Sequence, residues 1–193
     1  MYKKGMKSTA IILFLFSLFL SSCSYKVGNL NRSLPGKHKF IAVPTFKNQS
    51  NDPGAESYFT NALLEEMLRA DFLKVVRQER AELVLEGSIL KIDHEPEGTV
   101  DSDEKSELPD NTILNLNYNT RAIVELRLRR TSDQKVIWSS VFSGNRTTPA
   151  AQIGDSALNS SNTVYDYSAK NYSLRVISRE LMQQAFTRMT EDF

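Results

Sequence analysis

Along most of the chain, apolar positions recur with one of two periods, and the period predicts the element each segment forms. Phe40, Ile41, Ala42 and Val43 make a near-continuous apolar run, the pattern of a strand covered on both faces. That strand is expected over Phe40 to Phe46, with Pro44 at its end or on an edge because proline cannot donate to a ladder. After a polar turn, Phe59, Ala62, Leu63, Met67 and Ala70 recur at helical spacing, leaving Glu56, Glu65, Glu66 and Arg69 for the wet side. Asp52 is placed to cap this helix and Pro53 to open it, since a missing N–H costs nothing there. Phe72 to Val76 reads as a short strand or extended link. Ala81 to Asp93 reads as a longer strand carrying Leu83, Leu85 and Ile89, with Val84 off-phase and Gly87 as a candidate bulge.

Further on, Ala122, Val124, Leu126 and Leu128 alternate with Arg121, Glu125, Arg127 and Arg129, which predicts a strand with one dry and one wet face. Thr131 to Gln134 turns the chain, and Lys135 to Gly144 returns as its hairpin partner with Val136, Trp138 and Phe142 on one face. The register that unites the dry faces sets these three beside Val124, Leu126 and Leu128, whereas a one-residue slip would put the aromatics in water; the sequence alone leaves the slip open. Leu174, Ile177, Leu181, Met182, Ala185, Phe186 and Met189 then form a broad helical stripe, preceded by Thr163 and Asp166 at capping-box spacing. Together the elements predict an α+β domain: a four-stranded mixed sheet with two helices packed on one face, in the order β-α-β-β-β-α.

Two stretches lack any period. Glu95 to Asp110 holds seven acids against Lys105 alone, with Pro96, Gly98 and Pro109; such a segment buries too little to offset its ordering entropy and is expected to be a mobile loop. Arg146 to Asn162 is small and polar and reads as a second long loop.

The chain's first segment has a different character. Lys3, Lys4 and Lys7 precede an apolar run from Ala10 to Leu20, too short for the roughly 20 residues that cross a bilayer, so residues 1–22 read as a cleaved export signal. The run ends in Leu20-Ser21-Ser22-Cys23, and Cys23 is the chain's single cysteine. This resembles the bacterial lipobox, which implies a diacylated thiol, cleavage before Cys23 and acylation of the new amino group; the alternative is a buried free thiol. Three acyl chains would hold the protein on a membrane where one is marginal. Under the bacterial sorting rule, serine rather than aspartate at position 24 implies the outer membrane. Ser24 to Lys39, with Gly28, Pro35 and Gly36, reads as a tether, giving a lipidated segment over 23–39 and one domain over 40–193.

Charge and chemistry narrow the function. The formal charge of the 193-residue chain is +1 and turns slightly negative once the signal lysines leave, so no field favours nucleic acid. With Cys23 acylated no disulfide is possible, and the core alone must stabilise the fold. His38 and His94 have no Cys or His at ligand spacing, so no metal site is expected. The sequence has no G-x-S-x-G elbow, phosphate-cradling glycine loop or dinucleotide fingerprint. Glu65 and Glu66 are adjacent and do not face each other on a helix. The acidic loop lacks the spacing of a calcium loop. No enzyme activity and no cofactor are expected.

A family resemblance rests on named motifs. Cys23-x-Tyr25, Leu34-Pro35, Ile41-Ala42-Val43-Pro44-x-Phe46-x-Asn48-x-Ser50 and Pro53-Gly54-x-Glu56 resemble the opening of the LptE family of lipopolysaccharide-assembly lipoproteins. Ala81 to Gly87 is similar to that family's second-strand segment and Val136-Ile137-Trp138 to its penultimate strand. The resemblance implies a four-stranded sheet with two helices, seated as a plug in an LptD-type β-barrel that delivers lipopolysaccharide to the outer leaflet. Ser24 and Ala55 depart from the family's usual glycine and large aliphatic residue. For lipopolysaccharide contact the candidates are Arg121 and Arg146, expected together at the hairpin end opposite the Thr131 to Gln134 turn, where two guanidiniums could grip phosphate. Ordinary solvated strand-end residues are the alternative, and the acidic loop at that end counts against the pair. The competing class is another periplasmic lipoprotein binding module, a secretion-pore component or an activator of a cell-wall synthase, whose domains share the Ile-Ala-Val-Pro-x-Phe-x-Asn pattern.

Overall fold

The computed structural model describes residues 32–101, 113–150 and 163–191. The export signal, Cys23, the tether up to residue 31, residues 102–110 of the acidic segment, residues 151–162 and Phe193 lie outside the described residues. Among those described, six strands form one mixed sheet: β1 (Phe40–Ala42), β2 (Lys47–Asn48), β3 (Lys74–Val75), β4 (Leu83–Asp101), β5 (Ile113–Arg130) and β6 (Val136–Pro149). They run in the order β3-β1-β4-β5-β6, with β2 also paired to β4. The helices are α1 (Ala55–Leu68) and α2 (Thr163–Glu191). The α+β class and the order of the main elements are those the periodicities predict. The two-residue strands β2 and β3 raise the sheet above four strands.

β1, β2 and β3 join the sheet parallel to their neighbours, while β4, β5 and β6 are antiparallel. The strand expected over Phe40 to Phe46 thus ends at Ala42, and β2 follows it at Lys47. β1 lies beside Leu83 and Val84, β2 beside Ser88 and Ile89, and Pro44 sits in the gap where no N–H is needed. The run has cover on both sides as expected: Ile41 enters the main core, and Ala42 packs with Ala81, Val84 and Val76 on the opposite face. That contact explains why Val84 is off-phase.

One core unites the helices with the sheet. Phe59, Leu63 and Met67 of α1 and Leu174, Ile177, Leu181 and Met182 of α2 meet Leu85, Ile89, Val124, Leu126 and Leu128. The helices run parallel. Asp52, just before α1, bonds Lys170, the Arg175 guanidinium lies 5.7 Å from the Tyr58 ring, and Phe72, beyond α1, stacks on Phe186 at 6.1 Å. The hairpin register is the one that unites dry faces, with Phe142 opposite Val124 and Trp138 opposite Leu128. Val136 departs from it: a register shift sets it opposite Arg129, where it is exposed.

Five expectations are corrected by neighbours distant in sequence. The tether ends earlier than Lys39, because Leu34 is fully buried in the core and Glu82 accepts hydrogen bonds from the Lys39 and Phe40 N–H groups at 3.0 and 3.4 Å. α1 begins at Ala55 rather than Pro53, with left-handed Gly54 (φ 91°) before it, and Asp52 serves Lys170 instead of a cap. Gly87 is regular strand, the irregularity falling between Ile89 and Lys91. Glu95 to Asp101, expected in the mobile loop, continue β4 against Ile113 to Asn119. Arg146 to Pro149, expected in the second loop, likewise continue β6.

Candidate functional site

Two regions carry the residues that the sequence singled out. The first is the loop from β2 into α1. Asn48 Oδ1 accepts from the Ser50 N–H at 3.0 Å and the Ser50 hydroxyl at 2.7 Å, while its Nδ2 donates to the Asp52 carbonyl at 2.7 Å and to Glu56 at 2.8 Å. Glu56 turns back to accept from the Gly54 N–H at 3.1 Å. Its carboxyl is held below the usual range by its own backbone N–H first and by the Asn48 amide next. The motif residues Asn48, Ser50, Gly54 and Glu56 therefore shape a turn that launches α1, and their role is architectural. Asn48→Ala is expected to cost about 1–3 kcal/mol, because half-buried backbone groups lose partners; urea unfolding of the variant measures it.

The second region is the part of β4, β5 and β6 that runs on past the helix-covered core, and it holds both candidate arginines. Arg121 pairs with Asn145 and with Asp93, whereas Arg146 pairs with Thr120. Residues directly opposite in an antiparallel ladder share a face and successive residues alternate. The two guanidiniums therefore stand on opposite faces of the sheet. Neither is at a strand end, since the pairing continues to Asp101, Ile113 and Pro149. The expected joint grip on phosphate does not form.

Arg121 is exposed on the open face, in a depression of about 270 Å³ lined also by Asp93, Glu95, Pro96, Glu97 and Asn119. Three carboxylates around one guanidinium disfavour phosphate. Arg146 lies on the helix face, 5.5 Å from the Tyr172 ring of α2. Replacing both arginines with alanine is accordingly expected to give additive changes in lipopolysaccharide affinity, within the ~0.3–0.5 kcal/mol typical of uncoupled sites. A double-mutant cycle on the purified protein checks it.

The structure also shows residues that periodicity in the sequence passed over. His94 stacks on Tyr118 with ring centroids 4.8 Å apart, and its Nδ1 lies 2.8 Å from Thr120 Oγ1. The signal was present in Asn115, Asn117 and Asn119 alternating with Leu116, Tyr118 and Thr120, a strand pattern in largely polar residues. On the open face the charges are largely paired among themselves: Arg127 with Glu125 at 2.8 Å, Arg129 with Glu86 at 3.0 Å, and Lys91 with Asp93 at 2.7 Å. No group of three or more potential metal ligands occurs among the described residues.

A mixed sheet backed on one face by two parallel helices defines a two-layer α+β domain. Residues 39–189 match the LptE family, described as lipopolysaccharide-assembly, and the chain belongs to that family. Among solved structures, a neuraminyllactose-binding hemagglutinin homolog from Helicobacter pylori shares the fold, with a TM-score of 0.51 and 12% identity, covering 87% of this chain and 93% of that one. A lipoprotein from Caulobacter crescentus matches with a TM-score of 0.46 and 9% identity over 76% of this chain and 88% of that one. A minor lipoprotein from Acinetobacter baumannii gives 0.46 and 11% over 80% and 92%. No curated protein matches the sequence.

Proposed function

We propose that this protein is a non-catalytic lipoprotein, held at the outer membrane by acyl chains on Cys23, that seats in the lumen of an LptD-type β-barrel, assists its maturation and serves lipopolysaccharide delivery to the outer leaflet. Membership of the LptE family over residues 39–189 carries this reading. The surface chemistry suits it. Large outer-membrane barrels have polar interiors, and a sheet face on which Arg127, Arg129 and Lys91 are matched to Glu125, Glu86 and Asp93 brings much of its charge into such a lumen already paired, leaving Arg121, Glu95 and Glu97 to meet the wall. No helix among the described residues is long and apolar enough to cross a membrane, and the acyl chains supply the attachment. Anchoring beside the barrel raises the effective concentration for docking.

Affinity purification of the tagged lipoprotein from membranes tests the reading. A large β-barrel partner supports the plug; a cell-wall synthase partner or a self-assembled secretion pore replaces it. Cys23→Ala, in a form still exported, is expected to move the protein from the membrane to the soluble fraction, checked by fractionation and immunoblot.

A further inference from the structure

Seven side-chain polar atoms among the described residues are buried without a hydrogen-bond partner, and five of them belong to one place: His94 Nε2, Arg146 Nε, Thr148 Oγ1, Asp166 Oδ1 and Ser173 Oγ. The ladder places the sheet residues together. Arg146 is opposite Thr120, which bonds His94, and Thr148 is opposite Tyr118, on which His94 stacks. α2 supplies the other wall, brought in by Tyr172 against Arg146 and by Lys170, which bonds Asp52. Ser173, about one turn beyond Lys170 on α2, is fully buried. Donors and an acceptor facing one interior without partners are the setting in which ordered water binds. Arg146, Lys170, Asp52 and Asp166 bring two basic and two acidic side chains around the imidazole.

We propose that the interface between the first half of α2 and the far end of the sheet is a hydrated, proton-sensitive joint, in which ionisation of His94 loosens the first turns of α2 from the sheet. The groups facing His94 are Tyr118 and Thr120 from β5, Arg146 and Thr148 from β6, Asp166, Lys170 and Ser173 from α2, and Asp52 from the loop before α1. Its strand neighbours Asp93 and Glu95 stand on the opposite face. Burial is the largest influence and holds the imidazole below its ordinary value; Lys170 adds to this, and Asp166 and Asp52 oppose it. The docked helix therefore binds the proton less well than the undocked one. Docking strength is complete above the free imidazole value of about 6.5 and declines as pH falls through it.

The test is hydrogen exchange on the full chain at pH 7.5 and 5.5, corrected for the intrinsic rate. Amides of residues 163–173 are expected to lose protection several-fold in acid while those of 177–189 keep theirs, and His94→Asn is expected to abolish the difference. Protection that is independent of pH, or a difference that persists in His94→Asn, overturns the proposal. Should His94→Asn not fold, Asp166→Asn decides: removing the carboxylate that favours the proton weakens proton binding in the docked state only, so the loss of protection must keep its onset near the free imidazole value and be at least as large at pH 5.5, and a smaller or absent loss overturns the joint.

Discussion

Replacing Phe59 with alanine is expected to cost about 3–5 kcal/mol of folding stability, seen as a lower urea midpoint with an unchanged slope. Phe59 has no exposed surface. It projects from the first turns of α1 into the core and stacks on Phe46 at 6.5 Å with the rings inclined by 20°. Phe46 in turn lies between β1 and β2, the two pieces that attach the start of the domain to β4. Truncating Phe59 removes the apolar burial of its own ring and leaves a cavity that strands on one side and α1 on the other are too well fixed to close. Leu68→Ala is the control: on the same helix but 74% exposed, it should change stability by no more than ~0.5 kcal/mol. Equal losses at the two positions would mean that α1 is not anchored by its inner face.

The helices and the dry face of the hairpin were legible because each depends on a period that repeats along its own segment, whereas the hairpin register, which depends on two segments meeting, was left between the observed pairing and a one-residue slip. Leu174, Ile177 and Leu181 need only helical geometry to share a face, and Val124, Leu126 and Leu128 need only the pleat. What escaped depends on residues far apart. Glu95 to Asp101 have no apolar face of their own and are strand because β5 offers a ladder beside them. Asp52 looks like a cap from its neighbours, yet its partner Lys170 lies more than a hundred residues away. Leu34 stands in a stretch with the composition of a linker and becomes core only because the completed sheet and helices leave a place for it.

Of the candidate site, parity was the step left unused. The register that sets Phe142 beside Val124 also sets Arg146 beside Thr120, and this already assigns Arg121 to the other face. The polar joint around His94 could not be read locally at all, since its members come from three strands, one helix and the loop before α1. Both cases have the same physical root: sequence periodicity reports which face a residue takes, whereas a site is made by which faces meet.

Gly87→Ala is expected to destabilise the protein by about 1–3 kcal/mol through overpacking. A Cβ at this position would lie 2.4 Å from the Phe46 ring atoms Cε2 and Cζ, closer than any stable carbon contact. The backbone of Gly87 is ordinary strand opposite Leu126, so the penalty is steric and not conformational. The space glycine leaves is filled by an aromatic ring from a segment 41 residues earlier, whose N–H is fixed by Thr60 Oγ1 at 3.1 Å, so the ring is poorly placed to retreat. Shortening the ring should then relieve the clash. Phe46→Leu alone loses packing against Phe59, but combined with Gly87→Ala the total loss should fall short of the sum, with a coupling of about 0.5–3 kcal/mol as for residues in direct contact. Urea unfolding of the wild type, the two single variants and the double variant supplies the cycle. Strictly additive losses would show that Phe46 does not cover Gly87, and with it that β1 and β2 do not hold the parallel register on which the first part of the sheet depends.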